Sequence, residues 1–486
     1  MWLPRLPSLN EWLILVHETV LLHRRIFPFC RFLMTPLGIL FTTLFCLGVM
    51  VLPKRWAALC YLGGTLYLTQ GQSVLLSGIN FMAIRFVEVA AFTRILLRGE
   101  FSGFSLSKLD RLLLLSLVWY ESALMLRTMA LDFYGIGVLC DAALVFITFR
   151  VWLVTLEDYE HFMKWTGVLM IPFTACMVVE SINGRNLFAT IMGGVPDESV
   201  FREGHYRCQA SFRHSITAGS VGAVFLPLYI GLAADRSKRA YALLGVLCSA
   251  LILITSRSSG PLLAAMSAVV GWLCWTVRFR MYLVRLGIIS IFVFLHFTMS
   301  KPVWFIFDRI SSITGGDGWH RSNLIDQFLK HASEWWIAGM PIENTGDWAA
   351  TKMSWGGIDI TNHYVSLGVG GGLISVVLFI TFIKSGYSAI GKAMLRLRER
   401  EEMEGGLLLQ STLWGVGAMF CAHTINLTAV LYWDQSYVVF YIHMAMVVSL
   451  TQYFMEMAPA SELAFREHSS SAPLIDRTES DSANAT

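Results

Sequence analysis

Asp359-Ile-Thr-Asn362-His363-Tyr364 closes a long polar stretch, roughly 301–362, and opens an apolar run that carries Gly370, Gly371 and Gly372. A histidine where a polar loop re-enters an apolar segment suits proton transfer, because imidazole with a pKa near 6.5 takes and gives protons at neutral pH. Arginines stand at three comparable boundaries: Arg207, Arg257 and Arg321. Guanidinium keeps its charge and grips phosphate oxygens two at a time. One base and several fixed cations at a single membrane face point to chemistry on a phosphate-bearing lipid.

Each position also has a plainer reading. Arg257 sits in Ile-Thr-Ser-Arg-Ser-Ser-Gly-Pro, where it could simply snorkel at a tight turn. Yet Ser258-Ser259-Gly260-Pro261 is a good helix start, and helix N-termini attract anions. Arg207, Arg213 and His214 precede an apolar run at 215–233, as interfacial anchors do. Arg321 lies in Asp317-Gly-Trp-His-Arg-Ser-Asn323, ahead of Leu324 and Phe328, a pattern that reads as the opening of a short amphipathic helix. Either Asp359 or Asn362 is placed to orient the His363 imidazole. The 301–362 loop holds six of the sixteen tryptophans, Trp304, Trp319, Trp335, Trp336, Trp348 and Trp355. Sugar faces stack on such rings, and interfaces also collect them. The loop carries five basic against seven acidic residues, a net of −2, so a phosphate site there must be built locally from particular arginines.

These residues need a scaffold. The 486-residue chain is 55% hydrophobic and only 15% charged, with a mean hydropathy of +0.58. Continuous apolar stretches of spanning length make it an all-α, polytopic transmembrane helix bundle of about 12–13 spans rather than an alternating barrel. The runs fall near 33–52, 56–71, 75–97, 111–130, 134–155, 162–180, 215–233, 240–256, 259–277, 281–300, 363–385, 407–428 and 436–456. Residues 12–22 read as an interfacial helix. Residues 1–456 form one membrane domain with a large outer loop at 301–362 that contains short helices. Residues 457–486, rich in Ser and acids, read as a disordered cytoplasmic tail.

Lys and Arg concentrate in alternate short loops, around 54–55, 98–111, 236–239, 278–280 and 392–400. The positive-inside rule puts these in the cytoplasm and 181–214, 255–259 and 301–362 outside. Arg24, Arg25 and Arg31 argue for an inside N-terminus, against the parity of the runs. Arg85 and Glu88, three apart in the third run, suggest an intrahelical ion pair. Glu157, Asp158 and Glu160 read as a solvated turn, and Cys208 as a free thiol in a polar loop. The nine scattered cysteines show no ligand spacing, so no metal is expected. A net charge of +3 gives no nucleic-acid signal.

Four blocks in order make the 200–385 region similar to the O-antigen polymerase/ligase superfamily of bacterial polysaccharide assembly. They are Arg207-Cys-Gln-Ala-Ser-Phe-Arg-His214 with Gly219; Ser256-Arg257; Trp319-His-Arg321 with Trp336-Ile-Ala-Gly339; and Asp359-Ile-Thr-Asn-His363-Tyr364 with Gly371-Gly372. The resemblance implies a metal-independent inverting glycosyltransferase in the bacterial inner membrane, without cofactor and with its site facing the periplasm. Its donor would be a polyprenyl-diphosphate-linked glycan. Its acceptor would be a glycan or a lipid A-core, and other polysaccharide-assembly proteins would be its partners. His363 matches the proposed base, and Arg207, Arg257 and Arg321 match the diphosphate-binding arginines. The family often has His-Pro where this chain has His214-Ser215. The alternatives are a transporter or flippase for lipid-linked saccharides, which would use the same groups for binding alone, and a non-catalytic partner in an exopolysaccharide complex.

Overall fold

The computed structural model describes residues 30–76, 79–314, 318–349, 352–402 and 405–457. The 12–22 segment and the tail beyond Met457 lie outside the described residues. Among those described, seventeen α-helices make up almost all the regular structure, and each of the thirteen expected spans overlaps one. Seven helical stretches are long and apolar enough to cross a membrane. The chain is therefore a polytopic α-helical membrane protein.

The first half contributes α1 (Pro36–Val51), α2 (Lys54–Tyr67), α3 (Ala83–Leu97), α4 (Lys108–Thr128), α5 (Phe133–Trp152), α6 (Leu156–Asn183) and the short α7 (Leu187–Ile191). Their ends follow local chemistry. Ser107 and Asp110 form a capping box on α4, and Thr155 and Asp158 form another on α6, each satisfying two orphan N–H groups. Pro36 opens α1 after an N-cap Thr35, where a missing N–H costs nothing. The run expected from residue 75 instead begins as an antiparallel hairpin of β2 (Ser73–Leu76) and β3 (Ile79–Met82), with β1 (Cys30–Phe32) alongside β2; helix starts only at Ala83.

Buried charges cross-link the helices. Arg85 pairs with Asp141 of α5 at 2.6 Å and not with Glu88, whose carboxylate accepts from Tyr437 at 2.6 Å. The expected intrahelical pair is thus replaced by a bridge between helices. Asp158 is also not solvated: it is buried and accepts from Arg55 at 2.6 Å, while Glu160 receives Lys238 at 2.5 Å.

The second half contains α8 (Ser215–Leu232), α9 (Arg239–Ser256), α10 (Ser259–Leu273), α11 (Met281–Thr298), α15 (His363–Arg398), α16 (Gly406–Asn426) and α17 (Ser436–Glu456). Helix α8 is central and rich in Ser, Thr, Gly and Ala, which let neighbours approach closely. A Cβ at Gly219 would stand 2.2 Å from Ser256 Oγ. Between α11 and α15 the connecting segment folds on a small core of Leu324, Phe328, Trp335, Met340, Trp348, Ile358 and Ile360, joined by Val365 and Val369 of α15. It holds α12 (Ile306–Thr314), α13 (Gly318–Lys330) and α14 (Ala332–Trp335), the expected short helices.

Helix α15 is two arms. Gly372 has φ 73°, ψ −173°, a conformation closed to residues with a side chain. The His363 and Tyr364 rings lie 5.1 Å and 5.9 Å from that of Phe379. Sixteen residues of straight helix would separate them by ~24 Å, so the chain folds back at Gly372. The run expected at 363–385 is therefore a short arm, 363–371, returning onto a long arm, 373–398. From Phe379 to Arg398 the long arm spans ~29 Å, about one hydrocarbon thickness. His363 consequently lies beside Phe379, at the end of that stretch away from Arg398.

Candidate functional site

Three chain regions meet at the start of α8, the end of α9 and the start of α10. The first is a hairpin of β4 (Val200–Arg202) and β5 (His205–Arg207), paired Val200 to Arg207 and Arg202 to His205. Its turn residues Glu203 and Gly204 have φ 53° and 81°, as a two-residue hairpin turn requires. After it, the Cys208 N–H donates to the Thr255 carbonyl at 3.1 Å, which sets Arg207 beside the end of α9. Cys208 is buried, not displayed in a polar loop, and burial pushes its thiol up to about 12.

The second region is the α9–α10 junction. Arg257 ends α9 in the left-handed conformation, φ 46°, ψ 43°. Ser258 occupies the N-cap of α10 but does not cap it; its hydroxyl donates to the Ser256 carbonyl at 2.9 Å and accepts from Arg207 Nη2 at 3.0 Å. The first N–H groups of α10 therefore have no side-chain cap, and they carry the positive end of a fifteen-residue helix. The third region is α13, whose Arg321 donates from Nη2 to Ser259 Oγ at 3.3 Å and whose His320 donates from Nε2 to the Asp359 carbonyl at 2.9 Å.

Together these elements enclose a cavity of about 590 Å³. Arg202, Arg207, Arg257 and Arg321 line it together with Glu203 and Asp359, a net of two positive charges, and Arg202 pairs with its neighbour Glu203 at 3.3 Å. Ile216, Leu253, Ile254 and Leu262 make an apolar wall. Arg207 and Arg257 form no ion pair among the described residues, and Arg207 Nε is buried without a partner. Burial, and then the charge of Arg202, push the Arg207 guanidinium below its ordinary value. Both effects would be offset by a bound anion.

Of the residues singled out in the sequence, Arg207, Arg257, Arg321 and Asp359 line this one cavity; His214, Asn362 and His363 do not. His214 is the N-cap of α8, its Nδ1 accepting from the Ile216 N–H at 3.3 Å, and burial followed by the charge of Arg207 pushes its imidazole down, against Asp359. Asn362 does not orient an imidazole: its Oδ1 caps the short arm of α15, accepting from the Tyr364 and Val365 N–H groups at 2.9 Å and 3.3 Å. His363 stands two residues beyond Thr361, a cavity residue. Its backbone N–H donates to the Leu427 carbonyl at 2.8 Å, its ring lies against Phe379, and its Nδ1 is buried without a partner.

Of the six loop tryptophans, Trp335 and Trp348 are consumed by the small core between α11 and α15, whereas Trp319, Trp336 and Trp355 are exposed. Trp319 immediately precedes the cavity residues His320 and Arg321.

Two supporting residues carry no sequence signal beyond being ionisable inside or beside an apolar run. Glu180, near the end of α6, accepts from Ser199 Oγ and from the Gln209 and Ala210 N–H groups at 2.6, 2.9 and 2.9 Å. Arg127, at the end of α4, points Nη1 at the carbonyls of Ala338, Val369 and Gly370 at 3.3–3.5 Å, where a cation suits the C-terminal end of the short arm. Comparison with protein-family models and with curated proteins found no match.

Proposed function

We propose that this protein transfers a glycan from a polyprenyl-diphosphate-linked donor to an acceptor hydroxyl, in the cavity bounded by Arg207, Arg257 and Arg321. The observation that carries the reading is the convergence of those arginines, drawn from positions 207, 257 and 321, around the uncapped start of α10. A diphosphate diester carries two negative charges, which the net of two positive charges on the lining matches. The apolar wall suits the first carbons of a lipid, and Trp319 suits a sugar face.

The reaction follows from these roles. The acceptor oxygen attacks the anomeric carbon, the bond from that carbon to the diphosphate oxygen breaks, and a new glycosidic bond forms with inversion. The arginines and the α10 N-terminus take up charge building on the leaving diphosphate. His363 takes the acceptor proton: its Nδ1 is buried without a hydrogen-bond partner, two residues along the chain from the cavity residue Thr361, and a general base is loosely placed before substrate arrives. The periplasmic face of a bacterial inner membrane is the setting this donor implies.

A second reading draws on a separate observation. Arg85, Glu88, Asp141 and Tyr437 form a polar centre inside the bundle, and intramembrane ionisable groups are typical of transporters. That reading makes the chain a flippase for the same lipid-linked saccharides. The test is purified protein in detergent with a lipid-linked oligosaccharide and an acceptor glycan. Formation of transferred product with release of polyprenyl diphosphate supports transfer. Donor binding without product, joined to donor movement across vesicle bilayers, would replace it with the second reading.

A further inference from the structure

We infer that Glu180 is a positioning residue for Arg207, holding the hairpin that carries it in a diphosphate-binding geometry; this rests on the donor reading above. Glu180 is wholly buried and forms no ion pair with a cation among the described residues. A buried carboxylate is costly without strong partners. Its partners are three donors, and all lie at the two ends of one segment: Ser199 just before β4, and Gln209 and Ala210 just after β5. One carboxylate thus draws together the two feet of the hairpin.

The surrounding bonds transmit that grip to the cavity. The Ser199 N–H donates to the Gly184 carbonyl at 2.9 Å, fixing the first foot to the end of α6. The Cys208 N–H donates to the Thr255 carbonyl at 3.1 Å, fixing the second foot to the end of α9, one residue past Arg207. Ala210 has φ 50°, a left-handed conformation that a non-glycine residue keeps only where its surroundings enforce it. The bond from its own N–H to Glu180 does so. A carboxylate has only acceptors, so both oxygens serve these donors; a glutamine must turn an N–H toward at least one of them.

Arg207 then sits over Ser258 by design of the foot and not through any carboxylate of its own. The inference predicts that Glu180 matters to anion binding only through Arg207. The test uses the full chain in detergent, with farnesyl diphosphate as probe, and four forms: native, Glu180→Gln, Arg207→Ala and the double variant. Glu180→Gln should weaken binding by roughly tenfold, the size of a lost hydrogen bond to a charged group. Arg207→Ala should weaken it at least as much. The double variant should bind within about twofold of Arg207→Ala alone, since coupled residues are non-additive. Additive losses would overturn the inference.

Amide hydrogen exchange supplies an arm that needs no ligand. Glu180→Gln should speed exchange across 199–210 by about tenfold, and Arg207→Ala should leave it near native. Unchanged exchange in Glu180→Gln would overturn the inference by itself. Failure of the native chain to bind farnesyl diphosphate would instead remove the donor reading, and the exchange arm would still decide whether Glu180 holds the hairpin. Should Glu180→Gln not fold, Ser199→Ala, which deletes one of the three donors, should show the same pattern at smaller size; no change in exchange there would equally sink the idea.

Discussion

Arg257→Gly should make the protein more stable and worse at binding its ligand. Arg257 holds φ 46°, ψ 43°, and a single left-handed residue other than glycine costs about 1–2 kcal/mol. Its side chain is exposed and makes no ion pair or hydrogen bond within the described structure, so the fold loses almost nothing when it is removed. Glycine relieves the strain but brings about 0.5–1 kcal/mol of extra unfolded-chain entropy. The balance is a gain of up to ~1.5 kcal/mol. Arg257→Ala keeps the strain and deletes the charge, so it should match the native chain in stability.

Ligand affinity should move the other way, and equally in both variants. A guanidinium bond to phosphate is worth about 1.5–3 kcal/mol, or roughly 10- to 150-fold in dissociation constant. The assay is tryptophan-fluorescence melting at one fixed scan rate, since unfolding of such proteins is often irreversible, together with farnesyl diphosphate titration of the same samples. Two results would refute the reasoning. If Arg257→Gly melts below Arg257→Ala, the left-handed residue is not a source of strain. If both bind the diphosphate as the native chain does, Arg257 does not face the anion.

Three other perturbations test separate parts of the structure. His363→Ala should lower turnover by roughly 10²–10⁴ with donor affinity nearly unchanged; if His320→Ala does this and His363→Ala does not, the base has been assigned to the wrong imidazole. Gly372→Ala should collapse the yield of folded protein on size-exclusion chromatography, because the residue has φ 73° and its Cβ would stand 2.5 Å from the Ile337 carbonyl oxygen; a well-folded variant would show that the two arms of α15 do not need this reversal. Arg85→Met should cost about 3–5 kcal/mol by stranding Asp141, and adding Asp141→Leu should restore most of the melting temperature; no restoration would mean that the pair is not the relevant contact.

The helices were legible because burial in lipid demands long apolar runs, and the segment between α11 and α15 because its tryptophans and charges interrupt them. Arg207, Arg257 and Arg321 were legible as cations at span ends, and the structure brings them to one cavity. The reversal at Gly372 was not legible, since hydropathy measures burial and says nothing of φ; residues 363–398 read as one apolar run whether straight or folded. Arg85 shows the same limit: a sequence offers only partners three or four residues away, and the partner chosen, Asp141, is 56 residues distant. Glu180 gave no signal because a lone acid near the end of a span looks like a surface residue until the hairpin folds over it. Asn362 was misread because its own helix start needed a cap more than the next residue needed a hydrogen-bond partner.

The pairing of arginines across the molecule bears on what the cavity is for. Arg85, Arg94, Arg150 and Arg278 each end on a carboxylate, Asp141, Glu100, Asp110 and Glu401 respectively, at 2.6–2.9 Å. At these four places the chain supplies an acid to a buried arginine, whereas Arg127 is met by backbone carbonyls. At the cavity it does not: Arg207 is desolvated with its Nε unbonded, and its nearest fixed contact is a serine hydroxyl. Leaving a partly buried cation unpaired costs stability that pairing would recover, and a ligand that supplies the missing charge returns it as binding energy. Such a ligand must stabilise the folded state as its concentration rises above its dissociation constant. Farnesyl diphosphate should accordingly raise the melting temperature of the native chain, and raise it less in Arg207→Ala than in a variant of a paired, distant arginine such as Arg278→Lys. An equal shift in both would mean that the diphosphate binds somewhere other than over Arg207.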